Sequence, residues 1–427
     1  MIYKTYKTNS YNIYTIKTDK FKTCHMEIIF RNNIKKEEIT KRSLLTELLV
    51  ENTSKYNTRR KMIIELEDLY NSYFYGITNR VGSSILTAFC FDFINPKLVN
   101  EKIDEFIKFP LEAILKPNVS NDEFDITTFE YIKERVKKDI ESIVEEPKNY
   151  SISKLLENMC KNTESKININ GYIEDLDNIN NSNLFDYYKE MIKHDYIDIY
   201  IIGNLDLDNV SKIIEDNFKI NILKSHKVNY NIINKSINVP KKIYDYYPFS
   251  QENICIGYNI ENPTDFEKNY VAHVFNNILG GGSLESKLYQ TLRNENSLCY
   301  NCVSLYHKYD NLILLHTAIS KKNENTAINL MKKAMSDMKK GNITTKEIDN
   351  AKQLIITTIN ISLDVPGRII DNYLFKNLYG LEDLDTRVQK YNKVTKQDIM
   401  NFAKKIKLNT ILCVRDGENE RNKNKQN

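Results

Sequence analysis

The chain has 427 residues, of which 41% are hydrophobic and 28% charged, so it can bury two or three domain cores beneath a charged surface. Its 61 basic and 57 acidic side chains nearly cancel. This balance argues against a dedicated nucleic-acid-binding protein, because such proteins concentrate basic charge in patches.

The N-terminal residues 1–18 alternate polar and apolar side chains like a β-strand and contain no apolar core typical of a signal peptide. No apolar run in the sequence approaches the roughly 18 residues of a membrane span. Seven cysteines are scattered from Cys24 to Cys413, and in this context we expect reduced thiols. The sequence therefore predicts a cytoplasmic protein with no membrane insertion.

Hydrophobic periodicity predicts alternating strands and helices along the first half of the chain. Strands are predicted at residues 24–30, 84–91 and 197–203, and helices at residues 41–51, 59–73, 129–144 and 183–195. Read without any functional role, Ser43–Leu49 is a core helix that buries Leu44, Leu45, Leu48 and Leu49.

Residues 222–241 are polar, lack helical periodicity and end at a proline, which is typical of an inter-domain linker. Beyond it, strands are predicted at residues 253–260, 312–319 and 410–417, and helices at residues 266–279, 324–339, 346–359 and 398–407. Both halves close with a helix followed by an apolar strand. We therefore predict an α+β fold with two similar lobes, 1–221 and 242–415, and a disordered polar tail, 416–427.

Histidine spacing excludes the commonest helical zinc motif. The six histidines include no pair at i, i+4, so no helix can present two imidazoles on one face. Cys299 and Cys302 form an isolated CxxC without a second pair or a thioredoxin-like context, which favours two ordinary small residues over a metal or redox site. No G-x-S-x-G elbow is present.

The glycine run Gly280, Gly281 and Gly282 follows a predicted helix, and no strand leads into it, so a nucleotide-binding loop is not expected. Its bare backbone can lie close to an extended chain. Arg293 and Tyr300 follow it. On residue chemistry alone they are a surface arginine and a half-buried tyrosine, although a phenol can also stabilise an oxyanion.

The segment ILGGGSLESKLYQTLRNENSLCYNCVS resembles the C-terminal signature of the pitrilysin/insulinase family of zinc metallopeptidases, with Arg293 and Tyr300 matching its Arg/Tyr pair. Weaker resemblances follow in family order at residues 51–60, 129–147, 171–192 and 200–210. In active members an inverted His-x-x-Glu-His motif and a later glutamate hold and use the zinc. The matching positions here are Ser43, Thr46, Glu47 and Asp139, and all depart from the pattern.

The resemblance implies a catalytically degenerate subunit of a bacterial two-subunit family member, forming half of a peptide-enclosing chamber. A zinc-carrying paralogous partner is then expected to supply the metal, and this chain is expected to bind no cofactor of its own. This chain would donate Arg293 and Tyr300 to the partner's active site, while Gly280–Gly282 contact the peptide substrate. The alternative is a non-enzymatic scaffold or assembly subunit with the same fold.

Overall fold

The structure is a computed structural model that describes residues 1–220 and 228–417. The strands are β1 Ile2–Lys7, β2 Tyr11–Lys17, β3 Thr23–Asn33, β4 Tyr73–Val81, β5 Ser84–Ile94, β6 Val119–Ser120, β7 Glu123–Phe124, β8 Tyr196–Gly203, β9 Lys241–Tyr246, β10 Glu252–Ile260, β11 Cys302–His307, β12 Leu312–Ile319 and β13 Ile406–Arg415.

The helices are α1 Lys36–Leu48, α2 Arg59–Asp68, α3 Ile103–Leu115, α4 Ile126–Glu145, α5 Pro147–Met159, α6 Ile173–Leu176, α7 Asn181–His194, α8 Leu207–Asn217, α9 Ala272–Leu279, α10 Lys287–Tyr289, α11 Glu324–Lys340, α12 Thr345–Ser362, α13 Pro366–Tyr379, α14 Leu384–Lys393 and α15 Lys396–Lys404. Two π-helical turns span Glu267–Val271 and Gln290–Asn294. Within the described ranges, no helix is long and apolar enough to cross a bilayer.

The two main sheets share one topology. The first has the strand order β1-β2-β8-β3-β5-β4, and the second has the order β11-β12-β10-β13-β9. Each contains one parallel pair, β2 with β8 and β9 with β13, and its other neighbours are antiparallel. Leaving out β1, the order β2-β8-β3-β5-β4 therefore matches β9-β13-β10-β12-β11 strand for strand. The predicted α+β fold with two similar, largely antiparallel lobes is confirmed.

Strand β3 shows how alternation divides the first sheet into two faces. Met26, Ile28 and Phe30 are fully buried in the core beneath the helices. His25 and Glu27 point to the opposite face and are buried there as well. Because both faces are covered, the second one can hold polar side chains away from water.

A helix from a distant part of the sequence covers the second face of each sheet. On the second sheet, α5 packs so closely that a Cβ on Gly257 would lie 2.5 Å from the Met159 sulfur. On the first sheet, α13 places Gly367 over β3. Accordingly, residues 143–166 belong to the second compact unit and residues 363–378 to the first.

The compact units therefore differ from the contiguous lobes 1–221 and 242–415. The physical reason is that apolar side chains of α5, such as Leu155, pack against an apolar sheet face that includes Cys255 and Leu412. Packing of this kind follows surface complementarity and not sequence order.

The predicted linker and tail fall partly outside the described residues, at 222–227 and 418–427. Residues 228–240 contain no helix or strand, and β9 begins at Lys241. Within this stretch Asn234 is buried, and its side-chain amide donates 2.9 Å hydrogen bonds to the Ser165 hydroxyl and the Asp310 carbonyl oxygen. This part of the predicted linker is therefore bound to the second unit.

Candidate functional site

Three of the four degenerate zinc positions lie on α1, which packs tightly against β4. The Thr46 hydroxyl donates to the Arg42 carbonyl oxygen at 2.8 Å and lies 3.0 Å from the Thr78 hydroxyl. A Cβ on Gly76 would come within 2.4 Å of the Thr46 carbonyl oxygen. Ser43 is half-buried on the same helix. The helix predicted at 41–51 is thus present, and the Thr46 hydroxyl serves local contacts.

An arginine from α4 contacts Glu47 in this region. Arg135 donates to the Glu47 carboxylate at 2.6 Å and to the Glu51 carboxylate at 3.3 Å. Arg59 donates a second, very short hydrogen bond to Glu51, which is only 4% exposed. The two carboxylates therefore have two guanidinium partners and do not require a metal for charge balance.

Asp139 lies one helical turn beyond Arg135 on α4 and is exposed. Its backbone carbonyl accepts a hydrogen bond from the Ser142 hydroxyl. Across the described ranges, no group of three His, Cys, Asp or Glu ligands forms around Ser43, Thr46, Glu47 and Asp139. A cavity of about 570 Å³ remains beside Glu47 and Arg135.

Restoring the family's motif should require removal of the arginine. We expect the triple variant Ser43→His, Thr46→Glu, Glu47→His to bind zinc weakly beyond what the parent chain binds. Adding Arg135→Ala should tighten that extra site at least tenfold, because a guanidinium about 4 Å from a cation costs roughly 4 kcal/mol per unit charge at the effective dielectric of a protein. Competition with a chromophoric chelator measures both affinities. Equal affinities would show that Arg135 does not control this position.

Arg293 and Tyr300 are brought together in the second unit. Arg293 lies in the π-helical turn Gln290–Asn294, a type of distortion that is frequent at functional sites. Its Nη1 donates to the Tyr300 carbonyl oxygen at 2.8 Å, and its guanidinium carbon lies 4.6 Å from the Tyr300 ring centroid. Tyr300 itself is 80% exposed, whereas the sequence suggested a half-buried tyrosine. The arginine therefore fixes the backbone and ring of a tyrosine whose phenol faces solvent.

The glycine run shows two different requirements. A Cβ on Gly280 would lie 2.7 Å from Leu288, and one on Gly281 would lie 2.9 Å from the Asn277 Cα, so both positions allow close packing. Gly282 has a φ of +104° and nothing within 4 Å of an added Cβ. Its conformation favours glycine. Its open surroundings leave the backbone accessible to a ligand, but the predicted contact with substrate remains a prediction.

The CxxC pair lies beside the same arginine. A hydrogen bond from Cys302 lowers the pKa of the Cys299 thiol, and the positive charge of Arg293 lowers it further. Cys302 is buried, and Cys299 is partly exposed. All seven cysteines are free thiols in the structure. This segment therefore places a thiol, a guanidinium and a phenol close together in sequence.

The family profile described as "Peptidase M16 inactive domain" matches residues 178–355, a range that contains the glycine run and the Arg293/Tyr300 pair. This match makes the chain similar to inactive-type members of the M16 metallopeptidase family. This finding confirms the resemblance to the pitrilysin/insulinase enzymes, which belong to M16. "Probable inactive metalloprotease YmfF" of Bacillus subtilis strain 168 is 25% identical over 94% of this chain and 95% of its own length.

Solved structures show the same M16-like fold. A conserved protein from Enterococcus faecalis V583 has a TM-score of 0.91 at 23% identity, with 97% of this chain and 98% of that chain covered. A "peptidase M16 inactive domain" structure from Pseudomonas fluorescens has a TM-score of 0.78 at 14% identity, with the same shares covered.

Sequence reasoning missed two features of the first unit. The contact of Arg135 with Glu47 links helices 88 residues apart in sequence. The second feature is a buried group formed by His25, Glu27 and Cys90, the group of three metal-ligand side chains found in the described ranges. A Glu two residues after a His within a predicted strand is a weak signal for such a group, and Cys90 enters it only through the strand pairing.

Proposed function

We propose that this M16 protein is the non-zinc subunit of a heterodimeric metallopeptidase that hydrolyses or matures peptides in the cytoplasm. A zinc-carrying paralogous partner would supply the metal, the attacking water and the general base. This chain would supply part of the chamber wall, Arg293 and Tyr300 at the reacting peptide, and Gly280–Gly282 along the substrate backbone.

The exposure and fixation of Tyr300 carry this proposal. An 80% exposed tyrosine whose carbonyl and ring both contact Arg293 has a restrained backbone and a phenol free to donate outwards. A pre-positioned donor of this kind can stabilise the oxyanion of a tetrahedral intermediate formed in another subunit. Since the donor is already held, little reorganisation is needed when the substrate reacts.

The α1 region supports the same division of labour. With Glu47 and Glu51 paired to Arg135, a guanidinium contacts one of the positions that the resemblance assigns to the zinc motif. Metal, water and base must then come from elsewhere if the assembly cleaves peptides.

A scaffold role is the second candidate, and one observation favours it. The contact between Arg293 Nη1 and the Tyr300 carbonyl lies wholly within this chain, so the pair can stabilise its own loop without any partner. A scaffold subunit would keep such a contact for folding alone.

Complex formation tests the proposal. We expect this chain and an M16 protein from the same genome that has an intact His-x-x-Glu-His motif but no Arg/Tyr pair to form a 1:1 complex in analytical ultracentrifugation. A fluorogenic peptide library should be cleaved by the complex and not by either chain alone, and a chelator should abolish cleavage. A complex that forms without cleavage would favour the scaffold role. If the two chains do not associate, both the shared active site and a scaffold role with this partner are contradicted.

A further inference from the structure

The second face of the first sheet carries a compact block of ligand-type side chains. His25 and Glu27 are two residues apart on β3 and therefore point the same way. In the antiparallel pairing with β5, Asp92 lies directly opposite His25, and Cys90 lies directly opposite Glu27. Directly opposed residues bring their Cβ atoms to about 5 Å, so four functional groups meet at one place.

The three inner ligands have the spacing that a single ion requires. The His25 Nε2 and Glu27 Oε1 atoms are 2.9 Å apart, and one ligand atom from each of His25, Glu27 and Cys90 lies within 4.8 Å of the other two. All three residues are buried, at 4%, 7% and 1% exposure. These residues supply one nitrogen, one oxygen and one sulfur ligand. They lie on the paired strands β3 and β5, which fix their backbone positions.

Asp92 orients the imidazole from outside. Its carboxylate lies 2.7 Å from His25 Nδ1, which leaves Nε2 directed at Glu27. A carboxylate on the outer nitrogen of a histidine is the usual arrangement behind a zinc ligand, because it fixes the ring and makes the other nitrogen a better donor.

Helix α13 leaves room above the ligands. A Cβ on Gly367 would lie 3.3 Å from both the Glu27 carboxylate and His25 Nε2. The glycine thus avoids a side chain where the two ligand atoms converge. The block lines a cavity of about 570 Å³, so a fourth ligand position can face open space.

Charged side chains of both signs surround the block. Asp371 on α13 lies near Glu27, and burial together with that carboxylate raises the pKa of Asp371. Arg368 forms an ion pair with Asp371 at 3.2 Å. Both residues line the cavity, as does Arg80. Glu27, Asp92 and Asp371 face one histidine and these two arginines, and Arg80 also donates to the Gly82 carbonyl oxygen.

Within the described residues, no comparable group of three ligand-type side chains forms on the second sheet. There β10 carries Asn253 and Cys255, and His316 lies opposite Cys255. The repeated fold therefore does not itself require a His, Glu and Cys group on this face.

We propose that His25, Glu27 and Cys90 bind a zinc-type divalent cation, with the fourth position open to the cavity. Imidazole, carboxylate and thiolate together suit zinc better than calcium or magnesium, which prefer oxygen ligands alone. Three protein ligands and an open position are the usual composition of a zinc site that binds a further ligand. Metal binding by these three residues does not require the proposed heterodimer.

The alternative is a metal-free ion cluster. Burial alone would lower the pKa of His25, but the hydrogen bonds that its ring donates to Asp92 and Glu27 raise it to about 9. An imidazolium between two carboxylates accounts for the same two short distances. A proton on Nε2 and a metal on Nε2 exclude each other, so metal binding decides between them.

Cobalt titration of the chelator-treated full-length chain tests the proposal. We expect one Co²⁺ per chain with a thiolate-to-cobalt charge-transfer band that Zn²⁺ removes. Cys90→Ala should abolish the band, and Asp92→Asn should weaken binding by about 10–100-fold, as loss of an outer carboxylate does. Cys24→Ala is the matched control, because Cys24 is equally buried on the neighbouring strand β3 but faces the helical core.

Thermal unfolding in the presence of Zn²⁺ guards against misfolded variants. Zinc should raise the melting temperature of the wild type and of Cys24→Ala, since a ligand that binds only the folded state stabilises it. Absence of the cobalt band in the wild type, or an unchanged band in a folded Cys90→Ala chain, would overturn the site in favour of the ion cluster.

Discussion

Asp195→Ala is expected to destabilise the first unit by about 3–5 kcal/mol, because it leaves the guanidinium of Arg42 buried without its counter-charge. Arg42 is 2% exposed and Asp195 1% exposed, and Arg42 Nη1 donates to Asp195 at 2.8 Å. Asn32 donates to the other carboxylate oxygen at 2.6 Å, and Arg42 Nε donates to the Tyr187 hydroxyl at 3.0 Å. The variant therefore disrupts a fully buried polar network.

This network supports α1 and hence the degenerate zinc positions. Arg42 precedes Ser43 on α1, and Asp195 lies between α7 and β8. A loss of about 3–5 kcal/mol is a large share of the roughly 5–15 kcal/mol that stabilises a typical domain. In thermal unfolding we expect a melting temperature lower by about 10 °C.

Two controls separate burial from charge. Asp208→Ala removes an exposed partner of Lys4 and Tyr6 and should leave the melting temperature nearly unchanged. The double variant Arg42→Met, Asp195→Ala should lose much less stability than Asp195→Ala alone, because no charge is left unpaired. If Asp195→Ala unfolds like the wild type, the buried pair does not hold α1 in place.

Much of the fold follows from local periodicity. The predicted strand 312–319 coincides with β12, and the predicted strands 24–30 and 84–91 lie within β3 and β5. The helix predicted at 59–73 ends earlier, at Asp68, because Tyr70 and Asn71 adopt positive φ values of 62° and 56°. Boundaries of this kind depend on single backbone angles that hydrophobic periodicity does not report.

Contacts between distant segments explain what the sequence left open. The helical pattern of Leu44, Leu45, Leu48 and Leu49 predicted their burial, which the structure confirms. The same pattern carries no information about Arg135 from α4. The Arg293/Tyr300 pair was found only through family resemblance. Nothing in the local sequence predicts that Tyr300 is exposed and in contact with the Arg293 guanidinium.

Tyr300→Phe is expected to lower the kcat of the proposed heterodimer by about 10²–10³, the usual loss when one donor to an oxyanion is removed. The phenol would act mainly in the transition state, so KM should change little. Removal of one exposed hydroxyl should leave folding, association with the partner and metal content unchanged. Arg293→Ala should also raise KM, because the Tyr300 backbone loses its hydrogen bond and the substrate loses a cation.

A matched tyrosine is available as a control. Tyr244 is 40% exposed, and its ring centroid lies 4.0 Å from the guanidinium carbon of Arg415. Like Tyr300, it is therefore an exposed tyrosine in contact with an arginine. It belongs to β9, outside the proposed catalytic group. Tyr244→Phe should leave kcat at the wild-type value.

The central claim, that this chain completes a partner's active site, is tested most directly by the steady-state kcat of the zinc-loaded heterodimer carrying Tyr300→Phe. We predict a fall of about two to three orders of magnitude with an intact 1:1 complex, while Tyr244→Phe remains at the wild-type rate. A folded, fully assembled Tyr300→Phe heterodimer with undiminished kcat would contradict the shared-site mechanism and leave the M16 fold assignment unaffected.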